Sequence, residues 1–301
     1  MNKVVIVGCG NVGMAYAYAL INHGSRVDEL VLIDINKERV IGEVMDLNHS
    51  LPFAPSNMKI RKGDYKDCAD ATIIVIAAGA NQKEGETRLD LISKNAKIFK
   101  DIVYNVMENG FNGIFLIATN PLDIMTYLTW KYSKLPSNKV IGTGTTLDTS
   151  RLQYMLGNKI KLNPKDCNAY VIGEHCDSEF VAWSSATIAQ QPISSFISSD
   201  DMEKIETDVR ESAYEIINRK GATYYGIGAA LVSLTNSILD DQNLIFTVSN
   251  FDPANKIYIS SPCIINKNGV QKRIFIKLNK SETTKMEKSV AVIKNAIKTV
   301  N

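Results

Sequence analysis

Short apolar runs alternate with helically spaced ones through the first half of the chain. Val4–Val7, Leu30–Ile33, Met58–Arg61, Thr72–Ile76, Gly113–Ala118 and Lys139–Ile141 read as strands. Their cores are apolar throughout rather than alternating, as expected where helices cover both faces of a sheet. After Arg88, the positions Leu89, Ile92, Ala96, Phe99, Val103 and Val106 recur at steps of three and four, one apolar stripe of a long helix. This order predicts a parallel sheet wrapped by helices.

The second half has a different pattern. Asn168–Ile172, Asn243–Ser249, Ile257–Ser260, Cys263–Asn266 and Val270–Ile276 read as strands, the last two joined by a hairpin turn ending at Gly269. Long helices are expected near Asp201–Arg219 and Thr223–Leu239. A closing helix carries Met286, Val290, Ile293, Ile297 and Val300 on one face. Locally paired strands beside long helices suggest an α+β unit. The fold class expected is therefore α/β: a doubly wound parallel sheet over residues 1–142, followed by an α+β domain over 143–301.

Composition narrows the function classes without choosing among them. The 301 residues are 45% hydrophobic and 22% charged, ordinary globular usage that argues against disorder and fibrous repeats. Lys and Arg number 34 against 32 Asp and Glu, too balanced for a dedicated nucleic-acid binder. Five scattered cysteines without a CxxC pair suit reduced thiols and give no sign of a metal site or a disulfide framework. No signal-peptide pattern or membrane-length apolar run is present, so a cytoplasmic location is expected.

The strand Val4–Val7 runs into Gly8-Cys9-Gly10-Asn11-Val12-Gly13, a G-x-G-x-x-G opening a helix. Gly8 permits the tight turn, Gly10 lets a diphosphate approach the backbone, and Gly13 lets helix and strand pack closely, the Rossmann arrangement. The diphosphate would sit on the helix N-terminus, where the N–H groups around Asn11 and Val12 point. Asp34 ends the second strand about twenty residues on, where a carboxylate accepts both adenosine ribose hydroxyls and disfavours NADP. Ile35, not a cation, follows it, so NAD is the expected cofactor. Flavins share this fingerprint, which identifies a binding mode and not a reaction.

Three histidines occur. His23 ends the first helix, where a capping role suffices, and His49 precedes Pro52 without a titratable partner nearby in sequence. His175 lies in Gly173-Glu174-His175-Cys176-Asp177-Ser178, a polar loop after an apolar strand, suited to proton transfer near neutral pH. Cys176 beside it raises a thiol-nucleophile alternative, but adjacent extended residues point apart. Asp148 and Arg151 share a side if Thr146 onward is helical. An aspartate there can orient an imidazole, and an arginine fork can bind a carboxylate. The polar stretch Gly79–Arg88 suits a lid at the carboxyl end of the sheet.

Together VVIVGCGNVG, LVLIDI, VMDLNHSLPF, AAGANQKEGETRLDLISKN, ATNPLDIMTY, VIGTGTTLDTSRL, VIGEHCDSE and KGATYYGIG resemble the L-lactate and malate dehydrogenase family in order and spacing, most closely its bacterial L-lactate members. The resemblance spans nearly the whole chain. It implies NAD-dependent hydride transfer between a small 2-hydroxy acid and its 2-oxo acid, with His175 as proton donor and acceptor. Asp148 would hold that imidazole, Arg151 would grip the substrate carboxylate and Arg88 would polarise the reacting carbonyl. Asn120 would bond near nicotinamide and substrate, and Thr223 and Ile227 would line the pocket. A homotetramer is also implied.

The lid position matching Gln82 decides the substrate class by the same resemblance. Malate dehydrogenases place arginine there, against a second carboxylate; neutral Gln82 favours pyruvate and lactate, although Lys83 is an adjacent cation. Two departures stand out: Cys176 replaces the usual glycine after the histidine, and Glu84 replaces a proline common in bacterial members. At the positions matching the arginine and histidine that bind fructose 1,6-bisphosphate in allosteric members stand Gln153 and Asn168. That activator is therefore expected not to lower the pyruvate KM. A catalytically idle NAD sensor is the competing non-enzyme reading, against which the intact proton machinery argues.

Overall fold

The computed structural model describes residues 1–80 and 88–300, with the side chains of Arg88 and Leu89 outside that description. In chain order the first half contains β1 (Lys3–Val7), α1 (Asn11–Asn22), β2 (Glu29–Ile33), α2 (Lys37–Ser50), β3 (Lys59–Lys62) and β4 (Ile73–Ile76). It continues with α3 (Arg88–Glu108), β5 (Ile114–Ile117), α4 (Leu122–Ser133) and β6 (Val140–Gly142). These six strands are parallel and lie in the order β3-β2-β1-β4-β5-β6, the doubly wound order whose switch point falls between β1 and β4. All five residues of β1 and β2 and all four of β4 and β5 are buried, which explains their unbroken apolar runs. On α3 the expected stripe faces inward: Ile92, Phe99, Val103 and Val106 are buried in one cluster with β4 and β5. Each such side chain contributes roughly 1.5–3 kcal/mol.

The second half contains α5 (Thr146–Ile160), β7 (Val171–Ile172), β8 (Phe180–Val181), β9 (Thr187–Ile188), β10 (Gln191–Pro192), α6 (Ser199–Lys220) and α7 (Tyr225–Leu239). It ends with β11 (Leu244–Asp252), β12 (Ile257–Asn266), β13 (Gly269–Arg273) and α8 (Lys280–Lys298). Here the structure departs from the pattern-based expectation. The two strands expected at Ile257–Ser260 and Cys263–Asn266 are one, because Pro262 sits within β12 just past the end of β13, where its carbonyl still accepts from the Ile274 N–H at 2.8 Å and its missing N–H breaks no pairing with β11. The strand expected from Asn168 is reduced to Val171–Ile172, Asn168 making only an isolated bridge to Thr187. Strands β11–β13 extend the first sheet, because β11 pairs antiparallel with β6 at Ser249 and Gly142, giving nine strands among the described residues. None of the helices among the described residues is long and apolar enough to cross a membrane.

Three close approaches fix the frame of the site. A Cβ on Gly13 would stand 2.1 Å from the Gly8 carbonyl oxygen, so α1 presses on the end of β1 as no other residue would permit. Helix α7 then lies against both halves: a Cβ on Gly228 would meet the Ala15 backbone of α1 at 2.9 Å, and one on Gly226 would meet Leu147 of α5 at 2.7 Å. The helix after the glycine loop and the helix carrying Asp148 are thereby held through one intermediary.

Candidate active site

The glycine loop has the shape its sequence implies. Gly8 adopts φ +105°, and its Cβ would lie 2.3 Å from the Ala78 nitrogen, so β1 and β4 meet there only through glycine. A Cβ on Gly10 would meet nothing within 4 Å, leaving open space above the loop, and Gly10 caps α1 with no side-chain bond. The first-turn N–H groups of Asn11 and Val12 thus face a space where an anion can approach. Asp34 follows β2, its carboxylate accepting from the Cys9 N–H at 2.7 Å and from the Asn36 N–H at 2.9 Å, which ties the acid to the glycine loop. These residues fit an adenosine diphosphate moiety.

His175 is presented by a loop held at several points. The Gly173 backbone exchanges two hydrogen bonds with Ser260 of β12, at 3.0 and 3.1 Å. The His175 N–H donates to Asp123 Oδ2 at 2.9 Å, and Asp123, in the first turn of α4, also accepts from Ser249 of β11. The imidazole Nδ1 then meets Asp148 Oδ2 at 2.9 Å. Asp148 is 2% exposed, and its second oxygen accepts from Arg151 Nη1 at 2.6 Å, one turn along α5. Because α5 is helical from Thr146, carboxylate and guanidinium share a face.

The electrostatics favour a charged ring. Burial alone would lower the His175 pKa, but negative charge at Cys176 and Asp148 and hydrogen bonds to Asp148 and Glu179 raise it well above its ordinary value. Burial pushes Asp148 upward, yet the adjacent His175 and Arg151 charges outweigh it and hold the carboxyl below its usual range. Asp123 is pushed up to about 7, chiefly by burial and then by Glu174.

Of the other residues marked in the sequence, Asn120 lies at the carboxyl end of β5 before a cis bond to Pro121, and its carbonyl accepts from the buried Asn95 side chain at 2.9 Å. Asn95 also accepts from the Ala80 N–H at 2.8 Å, so it clamps the segments after β4 and β5 together, a role without a signal in the sequence. Thr223 precedes α7 and is half-buried, and Ile227 packs on the cluster that contains Leu116 and Ile141. None of the described hydrogen bonds or ion pairs joins either to His175. Gln82, Lys83 and Glu84 lie outside the described residues, as does the Arg88 side chain; Arg88 begins α3. His23 caps α1, its Nδ1 2.8 Å from the Ala19 carbonyl, and His49 is exposed in the last turn of α2.

Two buried carboxylates join the site unannounced by the sequence, Asp123 and Glu179. Asp123 looks like an ordinary acid in a helix first turn, and only its backbone contact to His175 reveals it. Glu179 stands four residues after His175, with Oε2 3.6 Å from the same Nδ1. Donor atoms of Asp148, His175 and Glu179 all lie within 4.8 Å of one another, close enough to hold a cation, but Arg151 already occupies the other oxygen of Asp148.

Cys176 stands at φ +122°, a conformation that belongs to glycine and costs roughly 1–3 kcal/mol for another residue. Cys176→Gly is expected to remove that strain. After the entropy that glycine adds to the unfolded chain, the melting temperature should rise by about 2 °C. Calorimetry checks this, and an unchanged or lower transition contradicts it.

Comparison with known proteins places this geometry. Residues 2–142 match the NAD binding domain of the lactate/malate dehydrogenases, and residues 145–301 match their alpha/beta C-terminal domain. The chain is 50% identical to an L-lactate dehydrogenase of Geobacillus sp. (strain WCH70), covering 99% of this chain and 96% of that one. Among solved structures it is similar to a lactate dehydrogenase from a Medee basin deep-sea metagenome library, with a TM-score of 0.97 at 47% identity, covering 99% and 98% of the two chains. It is also similar to the minor L-lactate dehydrogenase of Enterococcus mundtii, with a TM-score of 0.96 at 41% identity, covering 100% and 98%.

Proposed function

Because the chain belongs to the lactate/malate dehydrogenase family, we propose that it is an NAD-dependent L-lactate dehydrogenase interconverting pyruvate and (S)-lactate. The observation that carries this reading is the His175–Asp148–Arg151 chain, two hydrogen bonds of 2.9 and 2.6 Å through one buried carboxylate. It pairs a proton donor with a carboxylate-binding guanidinium in one half-buried site.

NAD, once bound at Gly8, Gly10, Asn11, Val12, Gly13 and Asp34 with Asn120 and Ile227 toward its nicotinamide end, supplies or accepts the hydride. Arg151 binds the substrate carboxylate, fixing its plane. His175 gives its proton to the carbonyl oxygen during reduction and takes it back during oxidation. Asp148 keeps the Nδ1 proton in place and stabilises the imidazolium. Arg88 meets the negative charge that develops on the oxygen, an interaction stronger in the transition state than in the ground state. Thr223 and Gln82 line the substrate pocket. The division into a cofactor domain over 1–142 and a catalytic domain over 143–301, a homotetrameric assembly and a cytoplasmic fermentative role that regenerates NAD belong to the same reading.

The raised pKa of His175 fixes the sign of the pH dependence. Reduction needs the protonated ring, so kcat/KM for pyruvate should hold below that pKa and fall above it. Lactate oxidation needs the neutral ring and should show the opposite dependence. The reading itself is tested by assaying pyruvate, oxaloacetate and 2-oxoisocaproate with NADH and with NADPH. Pyruvate with NADH is expected to lead. Tight NADH binding without turnover would favour a sensor, and preference for oxaloacetate would favour a malate dehydrogenase.

A further inference from the structure

We propose that Glu179 is a second carboxylate partner of the His175 imidazole, a positioning residue that shares with Asp148 the task of holding the ring protonated. The inference rests on the lactate dehydrogenase reading and deepens it.

The geometry is specific. Glu179 Oε2 lies 3.6 Å from His175 Nδ1, while the Asp148 oxygen lies 2.9 Å from the same atom, so two carboxylates flank one nitrogen. The Glu179 side chain is 4% exposed, and the same oxygen accepts from the Cys176 N–H at 3.4 Å, which ties it to the loop that carries the ring. A carboxylate buried beside another carboxylate is costly to ionise unless a cation lies between them. The imidazolium is that cation. With the ring charged, Asp148 and Glu179 are both ionised and, with Arg151, the four groups sum to zero. With the ring neutral, Glu179 takes a proton from solvent and the sum is again zero. Proton loss from the ring and proton gain by Glu179 are therefore linked.

The remaining charges around this pair do not substitute for Glu179. From α4, Asp123 meets the His175 backbone N–H and not the ring. Within the loop, Glu174 accepts from the Ser178 N–H and hydroxyl, Asp177 follows in sequence, and Cys176, whose charge also raises the ring pKa, adds to the effect of Asp148 and Glu179 without taking their place at Nδ1. Behind Glu179 a cavity of about 510 Å³ is bordered by Arg210, Lys285 and Lys288, balanced by Asp177, Glu203 and Glu206. Burial, followed by the charge of Asp148, pushes Glu179 up to about 7, so it titrates in the range where the ring must work.

Glu179→Gln keeps an acceptor for Cys176 and removes the charge. The alkaline limb of kcat/KM for pyruvate should move down by about one pH unit, the lower end of the effect of an opposite charge at this distance. That is roughly a tenfold loss of activity above the wild-type midpoint and little change well below it. Glu179→Leu, which needs no polar partner, should give the same displacement if the amide is not accommodated. An unmoved limb in either folded variant, or an equal loss at every pH, overturns the proposal. Wild-type turnover of pyruvate with NADH tests the underlying reading separately, because it does not depend on where the limb falls.

Discussion

Asp148→Asn is expected to lower kcat/KM for pyruvate by about a thousandfold or more, the scale on which a His–Asp pair loses function when its acid becomes an amide. The reason lies in the two partners of one carboxylate. Asp148 accepts from His175 Nδ1 at 2.9 Å and from Arg151 Nη1 at 2.6 Å, with 2% of its surface exposed. An asparagine of the same shape has one oxygen and one NH2 group. If the oxygen faces the ring, the NH2 group meets the guanidinium, donor against donor. If the NH2 group faces the ring, Nδ1 must become an acceptor, and the imidazolium is lost. Either arrangement also removes the negative charge that, after the opposing effect of burial, helps raise the His175 pKa. The pyruvate limb should therefore move to lower pH as the rate falls. Steady-state kinetics across pH, with circular dichroism to verify folding, check this; a loss below tenfold contradicts it.

Gln82→Arg is expected to move preference from pyruvate toward oxaloacetate by up to a thousandfold. On the proposal that residue 82 faces the substrate's third carbon, a neutral amide there leaves oxaloacetate's second carboxylate buried without a cation, at a cost of several kcal/mol. At about 1.4 kcal/mol per factor of ten, that cost corresponds to discrimination of that order. An arginine there supplies a fork for the second carboxylate and, with pyruvate, a cation lacking a partner, so the substitution acts in both directions. The ratio of kcat/KM for the two substrates is the measurement. A ratio unchanged by the substitution would mean that residue 82 does not face the substrate.

The parallel half of the fold was legible because its strands, apart from the edge strand β3, are buried on both faces and its helices on one, so period and burial coincide, as in β1 and α3. The glycine fingerprint was legible because Gly8 and Gly13 are required by contacts closer than any Cβ tolerates. In the second half legibility fell where pairing, not periodicity, makes the strand. Pro262 made β12 look like two strands, and β11 joins β6 through a contact more than a hundred residues apart in sequence. His175, Asp148 and Arg151, which the structure brings into contact, stand out in the sequence because a helix places two of them on one side and the third lies in a polar loop. Asp123, Glu179 and Asn95 were missed because each acts through a contact distant in sequence or through a neighbour's backbone, and no local spacing encodes that.

The most direct test of the central claim, that this site moves a hydride and a proton to opposite ends of one carbonyl, uses NADH carrying deuterium at the transferable C4 position with pyruvate in ordinary water. (S)-Lactate with one deuterium at C2 and none lost to solvent is expected, formed at a rate that falls as pH rises past the raised His175 pKa. Lactate without the label, or NADH that binds and leaves pyruvate unreduced, would contradict that claim.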